Sequence, residues 1–245
     1  MARINNEQQD YSSRNDIAAD DLDDTHHGGD ITSKRQNTLR IGFLNINGIP
    51  TKNDHPKNLS LYEAIKSHEM DVIGLAETNK CWHTLDTRDS WKSRTTGWWQ
   101  ASKATFAYNT TDCHSKKFQP GGTLQITNGR TTNRIIDSGI DTRKLGRWNW
   151  QRFRGKANKT VTVITAYRPC KSIGVNTTYT QQLRYFNSNQ IKQCTRQIFM
   201  EDLKEVIYTA KRKGDQIILM MDWNIDITSP ELIDWCEELG LKMPF

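Results

Sequence analysis

Asp71-Val72-Ile73-Gly74-Leu75-Ala76-Glu77 is the stretch that decides the fold. Val72–Ala76 is an unbroken run of small and apolar residues. Such a short run, bounded by polar residues, reads as a strand buried on both faces. It ends on the carboxylate of Glu77. A charge at the end of a buried strand has a desolvation cost that needs a partner, and a bound cation is one. The same design recurs twice. Leu39-Arg40-Ile41-Gly42-Phe43-Leu44-Asn45-Ile46 is apolar at most positions and carries Asn45, and Gln216–Met221 runs into Asp222-Trp223-Asn224. Ligands collect beyond the carboxyl ends of strands, where rigid elements meet loops. Taken singly, each of these residues is equally suited to start a loop or cap a helix.

Outward from these strands the pattern alternates. Asn47-Gly48-Ile49-Pro50 reads as a turn. Residues 58–69 fit a helix with Leu59, Tyr62, Ile65 and Ala64 on its apolar face. Further strands are expected at 98–108, Gly122–Thr127, Arg134–Gly139, Arg147–Arg154 and Thr160–Tyr167. In the fourth of these, Trp148 and Trp150 alternate with Asn149 and Gln151, as on a half-buried strand. A helix at 194–213 places Ile198, Phe199, Leu203, Val206, Ile207 and Ala210 on one face. A short helix at 229–239 follows. This order predicts a layered α/β protein.

Composition bounds the rest. The chain of 245 residues is 35% hydrophobic, with a mean hydropathy of -0.77 and a net charge of +6. Residues 1–37 carry 4 Lys/Arg against 8 Asp/Glu and lack apolar periodicity. They read as a disordered acidic tail, leaving 38–245 as the folded domain. That remainder holds 30 Lys/Arg against 20 Asp/Glu, a balance that suits a polyanionic partner. Residues 130–171 concentrate it, with 11 Lys/Arg and 2 Asp/Glu. Here Arg147, Arg152, Arg154 and Arg168 are candidates to follow a nucleic-acid backbone; the alternative is strand edges guarded by charge. No apolar run is long enough to cross a bilayer and no signal peptide is evident, so a soluble intracellular protein is expected. The five cysteines form no C-x-x-C pair and read as free thiols.

Five segments carry a family resemblance. Leu44-Asn45-Ile46-Asn47-Gly48 resembles the opening strand motif of endonuclease/exonuclease/phosphatase proteins. Ile73–Thr78 is similar to the family's glutamate motif, and Gly121-Gly122-Thr123-Leu124 to a glycine-led strand in its middle section. Val163-Ile164-Thr165-Ala166-Tyr167-Arg168-Pro169 resembles its tyrosine strand. Leu219-Met220-Met221-Asp222-Trp223-Asn224 resembles its Gly-Asp-Phe-Asn motif. All five occur in family order across about 38–240. The wording Asn-Ile-Asn-Gly and Tyr-Arg-Pro is most similar to the endonuclease domains of LINE-type retrotransposons.

The resemblance implies a four-layer α/β sandwich, with two packed sheets flanked by helices. It implies that Glu77, oriented by Asn45, holds Mg²⁺ or Mn²⁺. It implies that Asp222 activates water, and that Asn224 and Tyr167 hydrogen-bond the phosphoryl oxygens. The implied reaction is hydrolysis of DNA, with the nucleus as its implied location. A family phosphatase, an RNA deadenylase and a non-catalytic nucleic-acid-binding remnant stand as alternatives. Two departures matter. Met221 replaces the glycine before the aspartate, and no histidine follows His114, whereas the family ends on strands bearing an Asp-His pair. A second sheet lacking those strands, and weak activity of the isolated chain, are therefore expected.

Overall fold

The protein is described by a computed structural model covering residues 33–52, 54–82, 101–112 and 118–243. The acidic tail up to residue 32, and residues 98–100 of the strand expected at 98–108, lie outside the described residues. Every element belongs to the unit Lys34–Phe245.

Two four-stranded sheets make up the core. The first contains β1 (Ile41–Asn45), β2 (Val72–Ala76), β3 (Ser102–Ala107) and β4 (Thr123–Asn128), in the order β1-β2-β4-β3. Strands β1 and β2 run parallel, with α1 (Pro56–Ser67) as their crossover. The second sheet contains β5 (Ile135–Ile140), β6 (Trp148–Arg154), β7 (Thr160–Tyr167) and β8 (Asp215–Asp222), in that order. Strands β7 and β8 are parallel, joined through α2 (Thr178–Ser188) and α3 (Thr195–Arg212). A final helix, α4, spans Pro230–Glu238. Among the described residues, no helix is long and apolar enough to cross a membrane.

The apolar pattern explains the helix placement. Phe199, Leu203 and Ile207 of α3 pack with Trp148, Ile164, Met221 and Trp235 in one buried cluster. Trp148 meets the edge of Phe199 at a centroid distance of 5.4 Å. In α1 the inward residues are Asn58, Leu61 and Ile65, while Leu59 is 47% exposed. The expected face was rotated because Pro56 starts the helix earlier and Asn58 is drawn inward, where its amide donates to the carbonyls of Pro50 and Lys52. Helix α2 has no counterpart in the sequence reading. It is set by a capping box in which Thr180 replaces the usual acidic residue opposite Thr177.

Strand β6 corrects another expectation. Asn149 and Gln151 do not face solvent; both are fully buried between the sheets. Asn149 donates to Thr123 at 2.8 Å, and Gln125 donates to Gln151 at 3.2 Å. Thr127 also donates to Gln151, which itself donates to Thr105 at 2.9 Å, and Thr165 donates to Gln125 at 2.9 Å. This layer of amides and hydroxyls joins β3 and β4 to β6 and β7. It also accounts for part of the low hydropathy, since polar residues occupy core positions. The sheets approach closely at Gly74, where an added Cβ would lie 2.5 Å from Thr165 Oγ1. Replacing Gln151 with leucine keeps the volume but strands donors and acceptors on four neighbours, Gln125, Thr127, Thr105 and the Lys103 carbonyl. The expected loss is about 3 kcal/mol of unfolding free energy, read as a lower urea midpoint at unchanged slope.

The cysteines divide. Cys170, Cys194 and Cys236 are free, but Cys81 is disulfide-bonded, which corrects the expectation of free thiols there.

Candidate functional site

The carboxyl ends of β1, β2, β7 and β8 meet at one edge of the sandwich. Asn45 closes β1 opposite Ala76, and Glu77 follows immediately after β2. Tyr167 and Asp222 are register partners at the ends of β7 and β8. One amide links the sheets: Asn45 Nδ2 donates to Glu77 Oε1 at 3.0 Å and to Asp222 Oδ2 at 2.6 Å. The other side of that amide is fixed as well, because Asn45 Oδ1 accepts from the Asn47 N–H at 3.0 Å.

The backbone around these groups is held in unusual conformations. Glu77 and Asn224 have φ of 52° and 46°, in the left-handed region, and so do Asn47 and Asn79. For a glutamate this conformation costs of order 1 kcal/mol and persists only when neighbours enforce it. They do. Gly48 N–H donates to the Glu77 carbonyl at 2.7 Å, and Asn79 is tied to Gly121 in both directions, at 2.7 and 2.8 Å. Asn224 is held from three sides. Its N–H donates to Asp222 Oδ1 at 3.2 Å, its Nδ2 to the Arg168 carbonyl at 2.7 Å, and its Oδ1 accepts from the Cys170 thiol at 2.7 Å.

Tyr167 is buried, and its phenol hydrogen-bonds Glu77. Burial, then the charge of Glu77 and this hydrogen bond, push its pKa well above the ordinary phenol value, so it stays protonated. Among the described residues, neither Glu77 nor Asp222 makes an ion pair. The expected five, Asn45, Glu77, Tyr167, Asp222 and Asn224, are thus brought together.

No cluster of three His, Cys, Asp or Glu side chains able to hold a metal occurs among the described residues. What exists is a pair of carboxylates sharing one amide with no cationic side chain between them. Hard oxygen donors, few in number, suit a cation that retains most of its water, as Mg²⁺ does. The donor set therefore fits Mg²⁺ or Mn²⁺.

The arginine candidates do not gather here. Arg147 is fully buried and its guanidinium is held by Asp141 and Asp202, both at 2.8 Å, so it has no surface to offer a nucleic acid. Arg168 is 3% exposed and paired with Glu231. Arg152 is engaged by Asp215 at 2.8 Å. Arg154 is exposed but sits at the β6–β7 turn, the end of β7 opposite Tyr167. Two other basic groups reach the backbone beside the site. Lys57 donates to the Asn47 carbonyl at 3.0 Å, and Arg196 to the Asn224 carbonyl at 2.8 Å. Residue type alone did not separate these from the buried arginines. The one available signal was position, because Lys57 lies in the first turn of the helix after β1 and Arg196 in the first turn of the helix before β8.

No protein-family model matches the sequence, and no curated protein matches it. Solved structures do share its architecture. The human Nocturnin catalytic domain with bound sulfate superposes with a TM-score of 0.52 at 14% identity, over 82% of this chain and 70% of that one. An AP endonuclease from Archaeoglobus fulgidus gives 0.48 at 14% identity, over 79% and 60%. A protein of the endonuclease/exonuclease/phosphatase family from Leptotrichia buccalis gives 0.48 at 10%, over 83% and 75%. The fold is an α/β sandwich of two mixed sheets flanked by helices, an architecture shared with the Nocturnin catalytic domain.

Proposed function

We propose that this protein hydrolyses phosphodiesters in DNA with a divalent metal, as a strand-nicking endonuclease of the retroelement type. The observation that carries the reading is the Asn45 amide, which draws a carboxylate from each sheet to one point. The excess of Lys and Arg in residues 38–245 supports a polyanionic substrate, and the wording of the Asn45 and Tyr167 motifs supports the retroelement type.

Glu77 and Asn45 are the residues that would hold Mg²⁺ or Mn²⁺, which when bound supplies a Lewis acid for a phosphoryl oxygen and the leaving alkoxide. Asp222, oriented by Asn45, accepts the proton of the attacking water. Asn224 spends one amide N–H on the Arg168 carbonyl, which leaves the second for the phosphoryl group. Tyr167 turns its single O–H from Glu77 toward a phosphoryl oxygen as charge builds there.

Supercoiled plasmid is the substrate to test. Slow conversion to open circles in Mg²⁺, stopped by chelation, is the expected outcome. DNA binding without cleavage in either Mg²⁺ or Mn²⁺ would instead mark a binding protein. Tyr167→Phe, which removes only the hydroxyl, is expected to lower the nicking rate roughly 100-fold while leaving DNA binding intact.

A further inference from the structure

A cavity of about 570 Å³ opens on the outer face of the second sheet, between α3 and strands β6 and β7. We propose that it binds a nucleoside monophosphate, with the base stacked on Trp150 and the phosphate held by Lys213 and the free edges of two arginines. The proposal does not rest on the hydrolytic reading. The cavity walls include Thr162 and Asp215, near the starts of β7 and β8, whereas Tyr167 and Asp222 end those strands. About 16 Å or more of strand separates the two places.

Volume and walls fit a small molecule. Trp150 is the register partner of Gly139, and a Cβ added to Gly139 would lie 2.6 Å from the indole. The ring therefore lies against the bare β5 backbone, and the half-buried indole turns toward the cavity. Tyr185 and Val206 extend this apolar wall. Such a surface takes the face of a planar base.

The polar groups select charge. Arg143 gives Nε and Nη2 to Asp202, and Arg152 gives Nε and Nη2 to Asp215. Both Nη1 groups donate to nothing among the described residues. The two carboxylates are already engaged: Asp202 also accepts from Arg147, and Asp215 from Thr160 and Thr162. Lys213 has no partner among the described residues either. The cavity thus offers the unused Nη1 groups of two ion-paired arginines and the Lys213 ammonium, against Glu205, which has no ion-pair partner among the described residues. An anion rich in acceptor oxygens matches the donors, and the exocyclic amine of a base matches Glu205.

Calorimetric titration of adenosine 5′-monophosphate into the purified chain, with chelator present, tests this. One equivalent with Kd near 100 μM, and roughly tenfold weaker binding of adenosine, is expected. Thr209→Phe places a ring in the cavity mouth from an exposed helical position and should abolish both. Lys213→Glu should weaken the monophosphate about tenfold and leave adenosine unchanged. Glu77→Ala should alter neither. Circular dichroism melts establish that each variant is folded. Absence of saturable heat up to about 5 mM overturns the proposal. So does binding that survives Thr209→Phe, and so does binding lost in Glu77→Ala, which would place the phosphate at the strand-end site.

Discussion

Glu77→Ala is expected to lower metal-dependent plasmid nicking by about 1000-fold while leaving the thermal midpoint within a few degrees of the parent. The loss is large because one side chain serves three partners. Glu77 is the carboxylate that would hold the metal, it accepts from Asn45, and it accepts from Tyr167. Removing it frees Asn45 to leave Asp222 and frees the phenol. Stability is spared for two reasons. The substitution keeps a Cβ at a positive φ, so the backbone strain is unchanged, and it removes a negative charge beside Asp222. Quantifying nicked circles with time, alongside a melt, separates these effects. Undiminished nicking by the folded variant would sink the assigned role, and a collapsed melt would show that Glu77 is structural.

Arg147→Met has the opposite profile. It should remove about 3–5 kcal/mol of stability, measured as a drop in the urea midpoint. Arg147 is a fully buried cation in the molecule. It gives Nε and Nη2 to Asp141 and Nη1 to Asp202, and its guanidinium stacks 4.2 Å from the Trp148 ring. Asp141 is itself fully buried, so truncating its partner strands a charge with no water to solvate it. Burial pushes the Asp202 carboxyl up, but hydrogen bonds from Arg143 and the charge of Arg147 outweigh it and hold the group below its ordinary range. A double variant that also replaces Asp141 with asparagine should recover part of the loss, because no orphaned charge remains. If the single variant unfolds at the parent urea concentration, the network contributes nothing and water reaches Asp141.

The sequence was legible where the apolar period was simple. Thr160–Tyr167 matched to the residue, and α3 differed from its expected span by one residue at each end. These segments are long or wholly apolar on one side, so burial dominates their local preference. Asn45, Glu77 and Asp222 were legible for a related reason, since each ends such a strand. Failures came where polar residues did structural work. Asn149 and Gln151 were assigned to solvent because alternation normally means one wet face, whereas here that face meets a second sheet. Arg147 was assigned to a surface for the same reason. A charged side chain reads as exposed until its partners are known, and Asp202 lies far along the chain. Helix α2 was missed because its capping threonine pair lacks the acidic signature.

The site is divided between layers: Asn45 and Glu77 ride on one sheet, Tyr167 and Asp222 on the other. The chain links the layers directly through Gly129–Arg134, between β4 and β5 at the end opposite the site, so their mutual offset at the site rests on side chains. It is fixed by the amide and hydroxyl ladder of Gln125, Gln151, Thr165 and Asn149, which tolerates a single alignment. A slip of one residue would separate the carboxylates by about 3.3 Å and unpair the whole ladder at once. Under the proposed function, chemistry and layer stacking are therefore one cooperative property. Heat, urea or proteolysis should extinguish catalysis at the first step that loosens the layers, and a half-molecule carrying either sheet alone would be catalytically silent.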